Sequence, residues 1–322
     1  MNVVLTGSVA YDYLMYFPGQ FRDHILPDKL DIISLSFHVE SMVRLRGGNA
    51  SNIAYTLAIL GEKPRLFATV GEDFEEYRQW LNTAGVDTTW AQVIPGVFTA
   101  TFFANTDRTN AQIASFYPGA MAYAASLSLK NLADDLPDLV VISPNDPEAM
   151  KRYVEECQEL GLNYFYDPSQ QIVRLEMPDL RKGIEGAQAL FVNEYEFALI
   201  QKATGMSKAD ILRWVKFLVV TLGERGALVS CGSVDYHIPC VPPEKIADPT
   251  GVGDAFRGGF IKAYGFGMDW ETCGQVGVLA ATYCLENHGP QGHSYTPKEF
   301  IDRFRRHFDD RSQLDRLLYL PP

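Results

Sequence analysis

Long apolar runs and an excess of basic charge are both missing from this 322-residue chain. No apolar stretch approaches the roughly 20 residues that a membrane-spanning helix needs, and no basic segment leads into an apolar N-terminal run. We therefore expect neither a membrane span nor a secretory signal. The formal net charge of -12 argues against a nucleic-acid partner, because surfaces that bind nucleic acids carry basic patches.

Cysteine pairs and metal-ligand clusters are missing as well. The five cysteines are scattered and never form a Cys-x-x-Cys pair, which is typical of free thiols in a reducing compartment, so we expect a cytoplasmic protein. His288 and His293 flank Gly289-Pro290, so we expect no shared helix face there and no zinc site. The cysteines are Cys157, Cys231, Cys240, Cys273 and Cys284.

Short β-rich runs alternate with helical stretches over most of the chain. We predict strands at 2–6, 65–71, 138–143, 163–167, 189–193, 217–223, 227–231 and 234–238. We predict helices at 48–61, 73–84, 147–160, 252–266 and 270–287, two more between 194 and 216, and a last one after Pro297. This alternation predicts an α/β protein with a mostly parallel sheet and helices on both faces.

Two stretches do not follow this alternation. Residues 13–46 mix aromatic residues with Pro18, Gly19 and charges, and residues 97–117 are rich in Thr and aromatics and interrupted by a polar turn at 105–110. The second stretch is typical of a β-hairpin. We expect the two stretches to pair with each other as a small lid projecting from the α/β body.

The strongest local motif is Asp248-Pro-Thr-Gly-Val-Gly-Asp254. Two glycines precede a predicted helix whose first turn contains Asp254, and the exposed N–H groups of a helix start can bind a phosphate. A carboxylate at that place can accept the proton of a hydroxyl that attacks a phosphoryl group. The motif alone leaves a structural alternative open, because an Asp near a helix start is commonly a cap.

Other nucleotide-binding and hydrolytic motifs are not found in the sequence. There is no Gly-x-x-x-x-Gly-Lys-[Ser/Thr] motif, and Phe256 stands where the third glycine of Gly-x-Gly-x-x-Gly would be. A dinucleotide-dependent oxidoreductase would share the α/β alternation but would need that glycine pattern near the first strand. No Gly-x-Ser-x-Gly elbow of a serine hydrolase occurs.

Two motifs resemble the signatures of the ribokinase (PfkB-type) family of carbohydrate and nucleoside kinases. Asp248–Asp254 is similar to the C-terminal signature, with Pro249 as a departure, and Gly47-Gly48-Asn49-Ala-Ser-Asn52-Ile-Ala54 is similar to the N-terminal one. The resemblance extends over nearly the whole chain. It implies a single kinase domain at 1–322, with a three-layer α/β/α core and a β-sheet lid formed by residues 13–46 and 97–117. It also implies ATP and Mg²⁺, and leaves open a monovalent cation.

The resemblance assigns roles to individual residues. Asp254 corresponds to the catalytic base, and Gly251, Val252 and Gly253 to the amides that hold the transferring phosphoryl group. The expected substrate-binding residues are Asp12, Gly48, Asn49, Asn52 and Gln112. The expected ATP-binding residues are Asn193, Thr221, Gly223, Gly226 and Asn287, and Glu196 is expected to act indirectly on magnesium. Structural alternatives remain for some of them: a turn residue at Asp12, a capped helix start at Asn193–Glu196 and a plain strand-to-strand turn at 221–226.

The substrate is expected to be a nucleoside. Four aromatic residues of the lid stretches, Phe17, Phe98, Phe102 and Phe103, could stack on a base, or they could equally pack on the core or on a second subunit. Phe116–Met121, preceded by Gln112-Ile113, and Glu286–His293 resemble segments of bacterial and archaeal nucleoside kinases. This favours an adenosine-kinase-like enzyme that phosphorylates the 5′-hydroxyl. The alternatives are a sugar kinase for ribose, fructose or a keto-deoxy sugar acid, and a ligand-binding module without catalysis. A homodimer through the lid is a further expectation from the family.

Overall fold

The computed structural model describes residues 1–132 and 135–319. In chain order its strands are β1 (Val3–Thr6), β2 (Ala10–Phe17), β3 (Ser41–Gly47), β4 (Arg65–Val70), β5 (Ala91–Val93), β6 (Ala100–Asp107), β7 (Gln112–Tyr117), β8 (Leu139–Ile142), β9 (Tyr164–Tyr166), β10 (Ala189–Asn193), β11 (Phe217–Thr221), β12 (Ala227–Cys231) and β13 (Val234–Ile238). Its helices are α1 (Asn49–Ile59), α2 (Glu75–Ala84), α3 (Pro147–Leu160), α4 (Met177–Glu185), α5 (Glu194–Thr204), α6 (Lys208–Trp214), α7 (Val252–Gly265), α8 (Trp270–Leu285) and α9 (Pro297–Phe304). These elements build an α/β core and a smaller second sheet.

The main sheet has the strand order β13-β12-β11-β10-β9-β8-β1-β4-β5. Neighbouring strands from β5 to β11 are parallel, whereas β11, β12 and β13 pair antiparallel. The carboxyl ends of the parallel strands therefore meet at one edge of the sheet, which is where ligands bind in open α/β sheets. The predicted mostly parallel sheet is confirmed.

Helices cover both faces of this sheet because its strands are apolar on both sides. In β1, Val3 and Leu5 pack into the apolar cluster formed with α1, α2, α7, α8 and α9, whereas Val4 packs into the cluster formed with α3, α4, α5 and α6. Alternate residues of a strand point to opposite faces, so a fully apolar strand requires a helical layer on each side. The expected three-layer α/β/α arrangement is confirmed.

The second sheet has the order β3-β2-β6-β7 and corresponds to the predicted lid. β6 and β7 form the predicted hairpin, and β2 pairs parallel with β6 and antiparallel with β3. β2 begins at Ala10, three residues before the predicted stretch 13–46, and β3 ends at Gly47, one residue after it. Residues 18–40 between them contain only short 3-10 helices. We call these four strands the lid sheet.

Two elements have no counterpart among the sequence predictions. β5 is three residues long, and its pairing with β4 is set by tertiary contacts rather than by a strong local pattern. α4 carries a proline in its first turn and buries Leu180 and Ile184, which is helical spacing that the sequence does contain. The helix was therefore detectable, whereas the short edge strand was not.

Candidate active site

Asp254 lies in the first turn of α7, directly after the two glycines of the C-terminal motif. Gly251 is the N-cap residue and has a φ of 79°, which a residue with a side chain rarely adopts. A Cβ at Gly251 would lie 2.2 Å from Cβ of Pro290. The motif therefore needs glycine there for two reasons, the backbone conformation and the close approach of Pro290.

The first turn of α7 presents backbone amides that have no acceptor within the helix. Ala255 is the first residue whose N–H reaches a carbonyl of the helix start, that of Gly251 at 2.9 Å. The N–H of Val252 makes only a long contact of 3.4 Å to the carbonyl of Pro249, and the N–H groups of Gly253 and Asp254 precede the first helical hydrogen bond. Such a helix start attracts anions through its free amides and its dipole.

The carboxylate of Asp254 is held by two side-chain amides from α1. Nδ2 of Asn49 donates to Oδ1 at 3.0 Å, and Nδ2 of Asn52 donates to Oδ2 at 2.9 Å. Asp254 is 6% exposed. Burial raises the pKa of Asp254 above its ordinary value, opposed by the Arg257 guanidinium and by the amides of Asn52 and Asn49. The two asparagines therefore favour the ionised form that a proton acceptor needs.

Helix α1 aims both asparagines at Asp254 because they are three residues apart on one helix face. Gly48 starts the helix with a φ of 98°, and a Cβ there would lie 2.5 Å from the carbonyl oxygen of Ser8. The hydroxyl oxygen of Ser8 accepts from the backbone N–H of Asn49 at 3.0 Å. The N-terminal motif is thus fixed against the turn after β1, and it meets the C-terminal motif at the carboxyl edge of the sheet.

Asp12 faces the same cleft from the lid sheet. It lies inside strand β2, so the alternative of a turn residue is wrong. Its Oδ2 lies 2.6 Å from the place that a Cβ of Gly47 would occupy, which shows why the neighbouring strand has glycine there. Burial, with the like charges of Asp248 and Asp254, raises the pKa of Asp12 to about 6. Asp12 therefore lies close enough to the Asp254 end of the cleft to interact with it electrostatically.

A buried ion pair lies directly behind Asp254. Arg257, one helical turn further along α7, places Nη2 2.7 Å from Oδ1 of Asp167 and Nε 2.6 Å from Oδ2. Both residues are buried, and Asp167 follows β9 at the carboxyl edge of the sheet. Sequence reasoning missed this pair, because Asp167 and Arg257 are 90 residues apart and belong to different parts of the fold.

The predicted ATP-binding residues line the adjoining part of the same edge. Asn193 and Thr221 are register partners at the ends of β10 and β11, and Gly223 and Gly226 lie in the turn to β12. A Cβ at Gly226 would lie 1.9 Å from the carbonyl oxygen of Ile238. Asn287 donates from Nδ2 to the carbonyl of Tyr283 at 2.8 Å at the end of α8. The structure thus gathers four of these residues in one turn region and gives Asn287 a helix-capping contact.

Glu196 occupies a capped helix start, the structural alternative considered for it. Its Oε2 accepts from the backbone N–H of Asn193 at 2.7 Å, and its Oε1 accepts from the hydroxyl of Ser169 at 2.8 Å. Both oxygens are therefore already engaged. Across the residues that the structure describes, no group of three or more His, Cys, Asp or Glu side chains could hold a metal ion.

Gln112 lies away from the other predicted substrate residues. It begins β7 and pairs with Thr106, to whose hydroxyl oxygen its Nε2 donates at 3.2 Å. Asp12, in contrast, is in register with Phe102 and, through it, with Phe116. Gln112 is four residues from Phe116 along β7 and on the same face of the lid sheet. Its role in substrate binding stays a prediction.

None of the helices in the described ranges has the length and apolar character required to cross a membrane.

Comparison with known proteins agrees with the geometry of the site. Residues 8–297 match the family model of the pfkB family carbohydrate kinases. The nucleoside kinase of Burkholderia thailandensis in complex with inosine is 36% identical, with a TM-score of 0.84 over 95% of this chain and 98% of that one. A second structure of that kinase contains ADP and inosine, with a TM-score of 0.83 over 95% of this chain and 96% of that one, again at 36% identity.

Archaeal proteins are similar over comparable lengths. The nucleoside kinase of Methanocaldococcus jannaschii is 27% identical, with a TM-score of 0.86 over 95% of this chain and 99% of that chain. The cytidine kinase of Thermococcus kodakarensis is 29% identical over 83% of this chain and 97% of its own length. The family model covers well over half of the chain, so the expected phosphotransferase with an alcohol acceptor is confirmed. The chain belongs to the pfkB family of carbohydrate kinases.

Proposed function

We propose that this kinase transfers the γ-phosphoryl group of ATP to the 5′-hydroxyl of a nucleoside, adenosine being the first candidate, with Asp254 as the base. The observation that carries the proposal is the position of Asp254: its buried carboxylate is held by two amide donors beside the free amides of the α7 start. A proton acceptor and a phosphate site thus adjoin each other. The bound inosine of the Burkholderia relative supports a nucleoside as acceptor.

The chemistry assigned to these residues is a direct phosphoryl transfer. Asp254 accepts the proton of the substrate hydroxyl as its oxygen forms a bond to the γ-phosphorus, and the bond from that phosphorus to the bridging oxygen of ADP breaks. ADP leaves with the bond's electron pair. The free amides in the turn from Gly251 to Gly253 stabilise the negative charge on the phosphoryl oxygens during the transfer.

The nucleoside is proposed to lie between the lid sheet and α1. Asp12 interacts electrostatically with Asp254, and Asn52 donates to it at 2.9 Å, so both lie beside the base. Together with Gly48 and Asn49 at the start of α1, they are proposed to bind the sugar hydroxyls. Residues directly opposite each other across strands lie on one face of a sheet, so Phe102 and Phe116 share the face of Asp12. These two aromatic rings are suited to stack on the base.

ATP is proposed to lie along the turn region at the ends of β10 and β11. Asn193, Thr221, Gly223 and Gly226 border it, with Asn287 at its far side, and the phosphates would point toward α7. The structure of the Burkholderia relative with ADP and inosine supports the proposal of a nucleotide site in this chain. Magnesium usually binds through phosphate oxygens and one or two carboxylates, so it would arrive with the phosphates of ATP. Glu196, which accepts from Ser169 and from the N–H of Asn193, would affect it only indirectly. A monovalent cation stays a prediction.

The experiment is a coupled ADP-release assay with magnesium and ATP. Adenosine, guanosine, inosine, cytidine and uridine are tested as acceptors beside free ribose and fructose. We expect turnover on one or more nucleosides and none on the free sugars. Turnover only on a sugar would keep Asp254 and the α7 amides in their roles but contradict base stacking on the lid sheet. Nucleoside binding without ADP release on any acceptor would favour a binding module.

The lid sheet is also proposed to close on the bound nucleoside and to join two copies of the chain. Its face opposite to Asp12 exposes Met42 and Phe103, which are 60% and 40% accessible, and the edge strand β7 exposes Ile113 on that same face. Exposed apolar strands at a sheet edge favour pairing with another chain. Analytical ultracentrifugation should detect a dimer that Ile113→Lys dissociates, and a monomeric wild-type chain at micromolar concentration would contradict it.

A further inference from the structure

A chain of three hydrogen bonds leads from an indole on α2 to the carboxylate of Asp254. Nε1 of Trp80 donates to Oε1 of Gln291 at 3.0 Å. Nε2 of Gln291 donates to Oδ1 of Asn52 at 2.9 Å, and Nδ2 of Asn52 donates to Oδ2 of Asp254 at 2.9 Å. Gln291 is 6% exposed, and Asn52 is buried. Neither amide has room to exchange these partners for bulk water.

The two ends of this chain fix its direction. An indole N–H can only donate a hydrogen bond, and an ionised carboxylate can only accept one. The two amides between them, Gln291 and Asn52, could each be reversed by rotating the terminal bond. Either reversal would place oxygen against oxygen or N–H against N–H in a buried site, which costs the desolvation of unpaired polar groups. One orientation of both amides satisfies every partner.

A second contact fixes Gln291 independently. The hydroxyl of Tyr77 donates to the carbonyl of Gly47 at 2.9 Å, so its oxygen is left to accept from Nε2 of Gln291. The outer end of the chain is held as well, because the guanidinium of Arg46 in β3 lies 4.6 Å above the ring of Trp80. Gln291 therefore has a donor-only neighbour at its oxygen and acceptors at its nitrogen.

We propose that Gln291 and Trp80 are positioning residues for phosphoryl transfer: they fix the amide of Asn52 so that it donates to Asp254 and keeps that carboxylate in its ionised, proton-accepting form. The proposal rests on the role of Asp254 as base. It assigns a function to Gln291 within the Glu286–His293 segment, which was otherwise noted only for its resemblance to nucleoside kinases. It also connects the base to α2 and, through Arg46, to the lid sheet.

Other charged and titratable groups surround Asp254 and act on it at the same time. They are Arg257 on its own helix, Asp167 after β9, Glu196 on α5, Asp12 in the lid sheet and Cys284 on α8. Burial raises the pKa of Asp254, and the donor from Asn52 opposes that rise. If these hydrogen bonds are broken, the amide of Asn52 is free to rotate and to turn its oxygen toward Asp254. The donor that lowers the pKa of Asp254 is then lost, and that pKa should rise further.

The test uses three variants of the full-length chain. Gln291→Met keeps the approximate size of the side chain but removes its hydrogen bonds, and Trp80→Phe keeps a ring but removes the indole donor. Gln79→Met is the matched control, the same substitution at an exposed position beside Trp80 on α2. The pH dependence of kcat/KM is measured for each with the best acceptor from the assay above, after circular dichroism has shown that each variant is folded.

We expect Gln291→Met to lower kcat on the order of 100-fold, the cost of a misplaced catalytic group. The acid limb of its kcat/KM profile, the pH range over which the base becomes protonated, should move to higher pH. Trp80→Phe should shift the acid limb in the same direction but by a smaller amount. If Gln291→Met does not fold, the result for Trp80→Phe decides the test. Gln79→Met should match the wild type. A loss of rate with an unmoved acid limb in both variants overturns the proposal, because a purely structural role would produce that result.

A measurement independent of turnover separates this proposal from the role of Asp254. The unfolding free energy is measured by urea for wild type, Gln291→Met, Asp254→Asn and the double variant. The stability lost with Gln291→Met should be smaller in the Asp254→Asn background, because the charge-assisted bond is already gone. Additive losses overturn the positioning role. If Asp254→Asn retained most of the wild-type rate, the role of Asp254 as base would be contradicted, whatever the four unfolding free energies show.

Discussion

The reacting end of the cleft and the lid sheet beside it are held in opposite ways. The carboxylate of Asp254 is held by the amides of Asn49 and Asn52 at the start of α7. The Arg257–Asp167 ion pair next to it is buried. On the lid sheet, large apolar side chains are exposed and the ion pairs of Arg44 and Arg46 with Glu76 lie at the surface. Groups that must stabilise charge at the moment of transfer are best preorganised, whereas an element that admits and releases a substrate is expected to have low local stability.

The largest effect should follow from removing the base at the preorganised end. Asp254→Asn keeps the size of the side chain and one acceptor oxygen, but it removes the group that takes up the hydroxyl proton. We expect kcat to fall by roughly 10²- to 10⁴-fold, measured by ADP release at saturating ATP and nucleoside. Asp302→Asn, an exposed position on α9, serves as the matched control and should retain the wild-type rate.

The contrast between the two regions should also appear in their ion pairs. Arg257→Gln leaves Asp167 buried without its partner, and breaking a buried pair costs about 3–5 kcal/mol of unfolding free energy. Glu76→Gln removes the two exposed ion pairs that join α2 to Arg44 and Arg46 of the lid sheet, and it should cost at most about 1 kcal/mol. Urea unfolding of both variants checks the difference.

A rescue variant sharpens that comparison. Arg257→Gln combined with Asp167→Asn removes both buried charges, so it should recover most of the stability lost in Arg257→Gln alone. If the double variant were no more stable than the single one, the loss would come from packing of the arginine stem rather than from an unpaired charge.

Asp12 stands between the two regions, and its ionisation should be visible in substrate binding. Loss of a charge-assisted hydrogen bond to a sugar hydroxyl predicts that Asp12→Asn raises the KM for the nucleoside roughly 10- to 100-fold. In the wild type, KM should rise as the pH falls through about 6, where Asp12 becomes protonated. Steady-state kinetics between pH 5 and 8 would contradict this assignment if KM were constant.

The ionisation of Asp12 should also affect the free energy of unfolding. The charged form favours substrate binding but destabilises the folded chain. Because the pKa of Asp12 is raised from 3.8 to about 6 in the folded chain, its contribution to stability is fully present below the unfolded value and is lost as the pH rises through the folded value. Asp12→Asn should therefore be more stable than the wild type at pH 8, with the difference disappearing near pH 4. Thermal unfolding at the two pH values measures it.

An effect on nucleoside binding is also expected from the lid aromatics, and it should depend on the face of the lid sheet that the ring occupies. Base stacking on an aromatic ring is worth about 1–3 kcal/mol, so Phe102→Ala should raise the KM for the nucleoside and leave kcat nearly unchanged. Phe103 is the next residue on β6 and points to the opposite face. Phe103→Ala should change KM little. Equal effects of the two substitutions would contradict the proposed base site.

Much of the site was accessible from short motifs. The spacing of Gly251, Gly253 and Asp254 predicts an anion-binding helix start with a carboxylate, and the spacing of Asn49 and Asn52 places both amides on one face of α1. The alternation of strands and helices predicted the layered core, and the two stretches outside it predicted the lid sheet. These features are local, so a few neighbouring residues are enough to specify them.

Other parts of the site were not accessible in this way. Trp80 and Gln291 are 211 residues apart, and Asp167 and Arg257 are 90 residues apart, so neither contact leaves a pattern within one element. Gln112 matched a nucleoside-kinase segment but lies at the far end of β7 from Phe116. Glu196 matched a family element and forms a capping box, which is the local interaction that its spacing also permits.

The sequence by itself determined the element types, the layered α/β class and the two motifs that meet at Asp254, because backbone propensity and helical or strand periodicity act over a few residues. Only the tertiary structure decided which distant groups face that carboxylate, and hence its burial, its ionisation and the single orientation of the amides of Asn52 and Gln291. Those properties depend on desolvation and hydrogen bonding between residues brought together by the fold.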